Sequence, residues 1–456
     1  MNSSENLKFD LINPTSPLWR VKANQRPRNS SVFRFSMLPS LYVAASMPPN
    51  VEPRIIDEDV EPVDFNTDAD LIGLSFMTYN APRAYEIADR FRALGKPVIF
   101  GGYHPTFMPD EAIQHADSIC LGESEINIPI MIDDFMNGGL QQFYKSELVD
   151  LEKLPTLNRN LLRHNAYVTT NAMQATRGCV YKCEFCSVAA FNRYKIRTRP
   201  IGQVIEELKG LGRHVLFMDD NIGLNREYAR ELFTAMIPLK KRWFSQCGIK
   251  IAEDEEMLRL AYESGCRGLF IGFESLSQDS LIAWKKHCNR RTDYLSAAKA
   301  IHKAGIGIFA GFVFGGDNDS PDVFATTLDF LMEANIEVLQ STRLTPFPGT
   351  PLFDKMDKEG RIVTKDWSHY DFFHVVHKPM KMDAQTLHHG LAWLQHRFYG
   401  YKSIMQRVRK AYSYLDAGSV TKVMLPLNLG YRIKLSAYGA FNMAKKFKQS
   451  ANWQHV

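Results

Sequence analysis

Ala175-Thr-Arg-Gly-Cys-Val-Tyr-Lys-Cys-Glu-Phe-Cys-Ser187 sets three thiols, Cys179, Cys183 and Cys186, in a Cys-x3-Cys-x2-Cys spacing just after a short apolar run. Thiolates on so short a loop converge on one point. Three ligands leave a structural zinc site one short of its usual four. The same three leave one iron of a four-iron cluster without a protein ligand, and so open to a substrate. A fourth zinc ligand is not close at hand: the next cysteine is Cys247, and no histidine falls between Cys186 and His214. Three inert buried thiols are the other alternative, since free cysteine is often a small apolar filler. The Thr-Arg-Gly lead-in and the charged Lys182 and Glu184 between the cysteines read instead as an exposed turn.

Working outward, residues 173–380 repeat a strand–helix unit. Apolar runs at Met173–Thr176, Val215–Met218, Phe244–Ile251, Gly268–Phe273, Ile306–Phe314 and Ile336–Leu344 are each followed by a loop or helical pattern. Six units predict an incomplete (β/α)6 barrel, in which reactive groups belong at the C-terminal ends of the strands. The non-apolar groups fall there: Asp219-Asp220-Asn221, Glu274-Ser275, Gly315-Gly316 and the run Thr345–Pro351. Residues 1–150 also alternate short apolar runs with helices, the clearest helix being Ala81–Leu94, which predicts an α/β, Rossmann-like doubly wound parallel sheet. Ser75-Phe-Met77 closes one of its strands and Gly101-Gly102 the next, so these positions border its expected ligand crevice. Residues 151–172 form a linker, and 381–456 a basic, mainly helical C-terminal region.

With Phe185 directly before the third cysteine, the cysteine motif resembles that of the radical S-adenosylmethionine (SAM) superfamily. The resemblance implies a 4Fe-4S cluster on Cys179, Cys183 and Cys186, whose open iron chelates SAM and cleaves it to a 5′-deoxyadenosyl radical. It places Asp219, Asp220 and Asn221 at the methionine moiety, Glu274 and Ser275 at the ribose, Phe185 at the adenine, and Gly311 and Gly315 where backbone approaches the nucleoside. A plain tight turn competes at the two glycines, and helix capping competes at Asp219 and Asn221. Ser75, Gly101 and Gly102 resemble the S-x-L and Gly-Gly elements of the cobalamin (B12)-binding domain that precedes many radical SAM cores. The Asp-x-His-x-x-Gly element supplying a lower axial histidine is absent, since the first histidine of the chain is His104. A Rossmann-like domain without a ligand is the competing reading.

The domain order, Trp367–Tyr370 and Ala81–Asp89 resemble the branch with hopanoid C-2 methylases and anaerobic magnesium-protoporphyrin ester cyclases. That branch implies cobalamin-dependent methylation of an unactivated carbon on an apolar, lipid-like or tetrapyrrole substrate, with flavodoxin or ferredoxin as electron donor. A cyclase or oxidoreductase without methyl transfer, and a non-enzymatic metal-binding module, are the alternatives. No catalytic side chain is assigned beyond the cofactor sites.

The remaining sequence bounds these expectations. A chain of 456 residues with 45% hydrophobic and 23% charged residues has room for several domains with a full core. Seven cysteines is an odd number, which excludes a complete disulfide framework and fits a reducing cytoplasm. Cys120, Cys247, Cys266 and Cys288 read as core, and His388-His389 lack metal spacing. Met1–Lys8 lacks the apolar stretch of a secretory leader, and no run reaches a membrane span. The net charge of +5 hides an asymmetry: residues 397–456 carry eleven Lys or Arg against one acid, Asp416. Interleaved with Trp393, Phe398, Tyr399, Tyr401, Tyr412 and Tyr431, this tail predicts contact with an anionic membrane surface, with a cap over the barrel as the competing reading. No nucleic-acid partner is expected.

Overall fold

The computed structural model describes residues 6–19, 36–437 and 439–450. The first five residues read for a leader and the last six of the basic tail lie outside this range.

The N-terminal part is a six-stranded parallel sheet: β1 (Leu7–Asn13), β2 (Val51–Asp57), β3 (Leu71–Ser75), β4 (Val98–Gly101), β5 (Ser118–Leu121) and β6 (Phe143–Lys145). Its order, β2-β1-β3-β4-β5-β6, reverses direction at β1. In a doubly wound sheet the crevice opens at that switch point, beyond the carboxyl ends of β1 and β3. Near-continuous apolar strands such as Leu71–Leu74 are what a parallel sheet covered on both faces requires. The helix Ala81–Ala93 covers one face with Ala84, Ile87, Ala88 and Phe91, all buried.

The second sheet is also parallel and sequential. β7 (Ala172–Met173) leads into a two-residue antiparallel pair, β8 (Thr176–Arg177) with β9 (Arg197–Thr198), which brackets the cysteine loop. Then follow β10 (His214–Phe217), β11 (Arg242–Cys247), β12 (Cys266–Glu274), β13 (Gly307–Phe314) and β14 (Val338–Arg343), in the order β7-β10-β11-β12-β13-β14. The third strand ends at Cys247 rather than Ile251, because Gly248 and a 3-10 turn at Ile249–Glu253 take the chain over, with Asp254 capping the next helix. Alternate residues, among them Phe217, Trp243, Ile271 and Phe312, bury into the outer helical layer. The opposite face carries Phe244, Phe270 and Phe309. Phe244 and Phe309 stand on strands two apart, yet their ring centroids are 6.2 Å apart, and Phe270 packs on Phe309 at 5.2 Å. Neighbouring strands are about 4.8 Å apart, so this face is concave: the sheet is a partial barrel with an aromatic lumen.

The C-terminal helices belong to this core. Leu387, Leu391, Leu394 and Phe398 of the helix Ala384–Phe398 pack against the outer layer. Tyr431, on the helix Leu425–Ala437, stacks on Tyr399 at 5.3 Å and meets the lumen ring of Phe309 at 6.0 Å. Arg407 is fully buried and donates to the carbonyls of Ile336, Glu337 and Phe398 and to Asn428. Of the aromatics read for a surface, Phe398, Tyr399 and Tyr431 are packing residues of helices that close the β14 side of the barrel, while Tyr401 and Tyr412 are exposed. No described helix is long and apolar enough to cross a membrane. The two sheets also share packing, since Phe347, Phe353, Trp367 and Tyr370, from beyond β14, join the cluster of Ile72, Leu74, Phe76 and Phe100.

Candidate functional site

The cysteine loop is held at both ends. Gly178 adopts φ +90°, and a Cβ there would lie 2.1 Å from the Lys195 carbonyl oxygen, so only glycine fits. Asp220, just past β10, accepts from the Gly178 amide at 2.7 Å. On the far side the Glu184 amide donates to the Trp284 carbonyl and the Leu352 amide to the Glu184 carbonyl, both at 3.0 Å. Burial pushes all three thiols up, Cys183 to about 12, while the Lys286 ammonium works in the opposite direction on each. Among the described residues no three His, Cys, Asp or Glu side chains are grouped to hold a single metal ion. An iron–sulfur cluster places each thiolate on its own iron, so this donor set, three partly buried thiols on one loop beside a cation, fits a cluster with one iron left open.

Of the residues expected around SAM, the fold uses several for itself. Asp219 is 2% exposed. Its carboxylate accepts from the amides of Ala175 and Thr176 and from the Thr176 hydroxyl, tying β10 to the approach of the cysteine loop. Burial nonetheless raises its carboxyl to about 7. Asn221 accepts from the Gly248 amide at 2.9 Å. Only Asp220 of the three faces the open site. Glu274 sits at φ +65°, a left-handed conformation that a non-glycine residue adopts only under constraint, and its carboxylate holds Lys286 Nζ at 3.0 Å. Ser275 is buried and accepts from the Ser277 amide, starting the turn into the helix Gln278–Ala283. Phe185 packs edge-on against Trp284 at 5.6 Å. A Cβ on Gly311 would meet the Phe270 ring at 2.7 Å, so that glycine makes room for a lumen aromatic. Gly315 makes a tight turn at φ +99°, its amide bound to Asp319.

A cavity of about 670 Å³ lies at the switch point of the first sheet, lined by residues on either side of the cysteine loop, though not by the cysteines themselves. Ser75, Gly101, Gly102 and Gly122 form its strand-end wall, and Gln174, Arg177, Met218, Asp220, Phe191 and Asn192 its barrel wall. Gly102, at φ +101°, leaves no space for a Cβ, which would fall 2.7 Å from the Phe76 oxygen. At Gly101 a Cβ would meet nothing closer than 3.8 Å, so the wall is bare backbone open to a ligand. That cradle fits the nucleotide tail of a corrin. His104 does not point into it: buried, it meets the Tyr85 hydroxyl at 3.0 Å, with Glu111 at 3.5 Å.

Sequence reasoning missed the residues that bring the two walls together. Tyr103 follows Gly102 and stacks on Phe191, five residues past Cys186, at 4.4 Å. Arg177 and Arg197, on β8 and β9, both bind Glu123 beyond β5, at 2.6–2.9 Å. Arg177 also reaches Glu125 at 2.7 Å. Burial alone would raise the Glu123 carboxyl, but the two guanidiniums hold it below the usual range. In the basic stretch after Phe185, Arg197 pairs with Glu123 and Arg199 with Glu207 at low exposure, while Arg193 pairs with Glu147 on the surface. Only the clustering of basic residues after the cysteines hinted at this.

Residues 173–331 match the Radical SAM superfamily, and residues 41–130 match the B12 binding domain. The bacteriochlorophyllide d C-12(1)-methyltransferase of Chlorobaculum tepidum is 34% identical over 365 residues, covering 77% of this chain and 79% of that one. The hopanoid C-2 methylase of Rhodopseudomonas palustris is 27% identical over 345 residues, covering 72% and 65%. Among solved structures, the radical SAM methyltransferase TsrM from Kitasatospora setae, with cobalamin and a [4Fe-4S] cluster bound, superposes with a TM-score of 0.64 at 16% identity, covering 98% of this chain and all of that one.

Proposed function

The chain belongs to the radical SAM superfamily, in the branch that carries an N-terminal B12-binding domain, and from that membership we propose that it is a C-methyltransferase acting on a tetrapyrrole. The observation that carries the proposal is a cavity walled by Gly101-Gly102 on one side and by Asp220, the residue that anchors the cysteine loop, on the other. When bound, a [4Fe-4S] cluster, SAM and cobalamin supply the reductive cleavage of SAM and the methyl group.

The chain's own residues would hold these groups. Cys179, Cys183 and Cys186 carry the cluster. Asp220 and Glu274 offer carboxylates at two strand ends of the barrel mouth. Ser75, Gly101 and Gly102 let the corrin's tail lie against backbone. A tetrapyrrole is favoured over a polycyclic lipid on two grounds. The bacteriochlorophyllide enzyme is the more similar of the two relatives described. The lumen presents the flat rings of Phe244, Phe270 and Phe309. Electrons are taken to come from a flavodoxin- or ferredoxin-type donor. All seven cysteines are free, in keeping with a reducing compartment.

The test is anaerobic reconstitution with iron, sulfide and cobalamin, then turnover with SAM and a metallated chlorin. The expected products are equimolar 5′-deoxyadenosine and S-adenosylhomocysteine, with the chlorin heavier by one CH2. Formation of 5′-deoxyadenosine by cobalt-free protein with no gain in chlorin mass would overturn methyl transfer in favour of cyclisation or oxidation.

A further inference from the structure

The segment after the barrel holds a polar constellation that the cofactors do not use. The Arg343 amide, the last of β14, donates to the Phe372 carbonyl at 3.2 Å, which pins the loop Asp371–His374 to the barrel mouth. Asp371 is 1% exposed in its side chain. It accepts from the amides of Phe373 and His374 at 2.8 and 3.1 Å, and its carboxylate grips His374 Nδ1 at 3.0 and 3.1 Å. A neutral imidazole with Nδ1–H on a carboxylate presents the Nε2 lone pair outward. The His374 side chain is 42% exposed, and no described residue hydrogen-bonds its Nε2. A carboxylate fixing one nitrogen while the other faces open space is the arrangement of metal-binding histidines.

The His374 ring is met edge-on by the His369 ring at 4.7 Å, and beside it stands an exposed aromatic. Phe372 is held at φ +67° with 38% of its surface exposed, its ring edge-on to Phe347 at 5.1 Å. Left-handed backbone at a bulky residue costs on the order of 1–3 kcal/mol and persists where the surrounding structure demands it. The next residue, Phe373, lies 5.8 Å from Lys434 Nζ, and Lys434 also lines the cavity. Phe373, between the exposed ring and the histidine, thus reaches a residue of the cavity wall.

We infer that His374 Nε2 is the axial ligand of the divalent metal at the centre of the macrocycle, with Asp371 fixing its tautomer and Phe372 lying against the ring. The inference rests on the tetrapyrrole substrate proposed above. It gives the enzyme a way to hold a nearly symmetric ring at one height over the barrel and to distinguish metallated from metal-free forms.

Binding of a magnesium chlorin, chlorophyllide a, and of its metal-free counterpart, pheophorbide a, to the full-length protein tests it, read by absorption and magnetic circular dichroism. The wild type should prefer the magnesium form by about tenfold or more, the scale of one good ligand bond, and show a five-coordinate signature. In His374→Ala the two affinities should converge, and added imidazole should restore the signature. Asp371→Asn should lower the preference without abolishing it, as loss of an outer-shell partner does. If His374→Ala retains both preference and signature, or if they follow His369→Ala instead, the axial role is overturned while a tetrapyrrole substrate stands. If the wild type binds neither chlorin, the substrate proposal fails and the ligand assignment with it. Thermal melts of the variants separate loss of ligation from loss of fold.

Discussion

Gly178 shows how much a single backbone position decides. It precedes the first thiol, and both its φ of +90° and the Lys195 oxygen at 2.1 Å from a would-be Cβ exclude any side chain. The backbone term alone for a non-glycine residue there is about 1–3 kcal/mol. Gly178→Ala should therefore leave the protein folded, with a lowered melting temperature, and reduce iron per chain after reconstitution by well over half. Iron and sulfide analysis alongside circular dichroism checks this, and full iron loading would contradict it. Much of the site was legible at this scale. Three thiols within eight residues must converge whatever the rest of the chain does, and Gly101-Gly102 announces bare backbone. Asp219 and Asn221 were less legible. Their place at a strand end was correct, but whether a carboxylate there faces a ligand or the amides of Ala175 and Thr176 depends on residues more than forty positions away in sequence.

At the scale of elements, the C-terminal helices changed meaning most. A run with eleven basic residues and many aromatics reads as a surface because composition carries no information about which face is covered. In the fold, Arg407 lies over the Phe398 ring at 3.7 Å and satisfies carbonyls at the start of β14. Burial lowers its guanidinium to about 10. Removing such a group takes a donor from three carbonyls and from Asn428 Oδ1, only the Glu337 carbonyl keeping a second one among the described residues, from Asn428 Nδ2. Arg407→Ala should cost roughly 3–5 kcal/mol, as breaking a buried polar network does, and loosen the helix Tyr401–Ala411 from the barrel. Hydrogen exchange should show faster exchange in that helix and in β14, with the first sheet unchanged. Exchange that rises equally everywhere would contradict a local role. The barrel strands were read with near-correct bounds because apolar runs between Gly and polar turns mark them. β5 and β6 of the first sheet were not, since four- and three-residue strands carry too little pattern.

For the whole molecule, the decisive contact is Glu123 between Arg177 and Arg197, with all three side chains 6–15% exposed. It joins the wall that bears Gly101-Gly102 to the loop that bears the cysteines. Glu123→Ala strands two guanidiniums in a buried interface, at a cost of about 3–5 kcal/mol. The variant should therefore retain its iron but lose cobalamin on gel filtration, because the second wall of the cavity is no longer held in place. Because the cavity takes residues from both sheets, cobalamin should raise the melting temperature of the wild type and draw its transitions together, whereas Glu123→Ala should show two separate ones. A cobalamin shift confined to one transition in the wild type would contradict the shared site. By itself the sequence determined the convergence of three thiols on one loop, the two parallel α/β units and their order, since spacing, periodicity and succession are local properties of the chain. Only the tertiary structure decided which acids face ligand, which cations are ion-paired and that the tail closes the barrel. Those outcomes depend on partners far apart along the chain that burial brings together, and a residue's charge or ring does not say which partner it will meet.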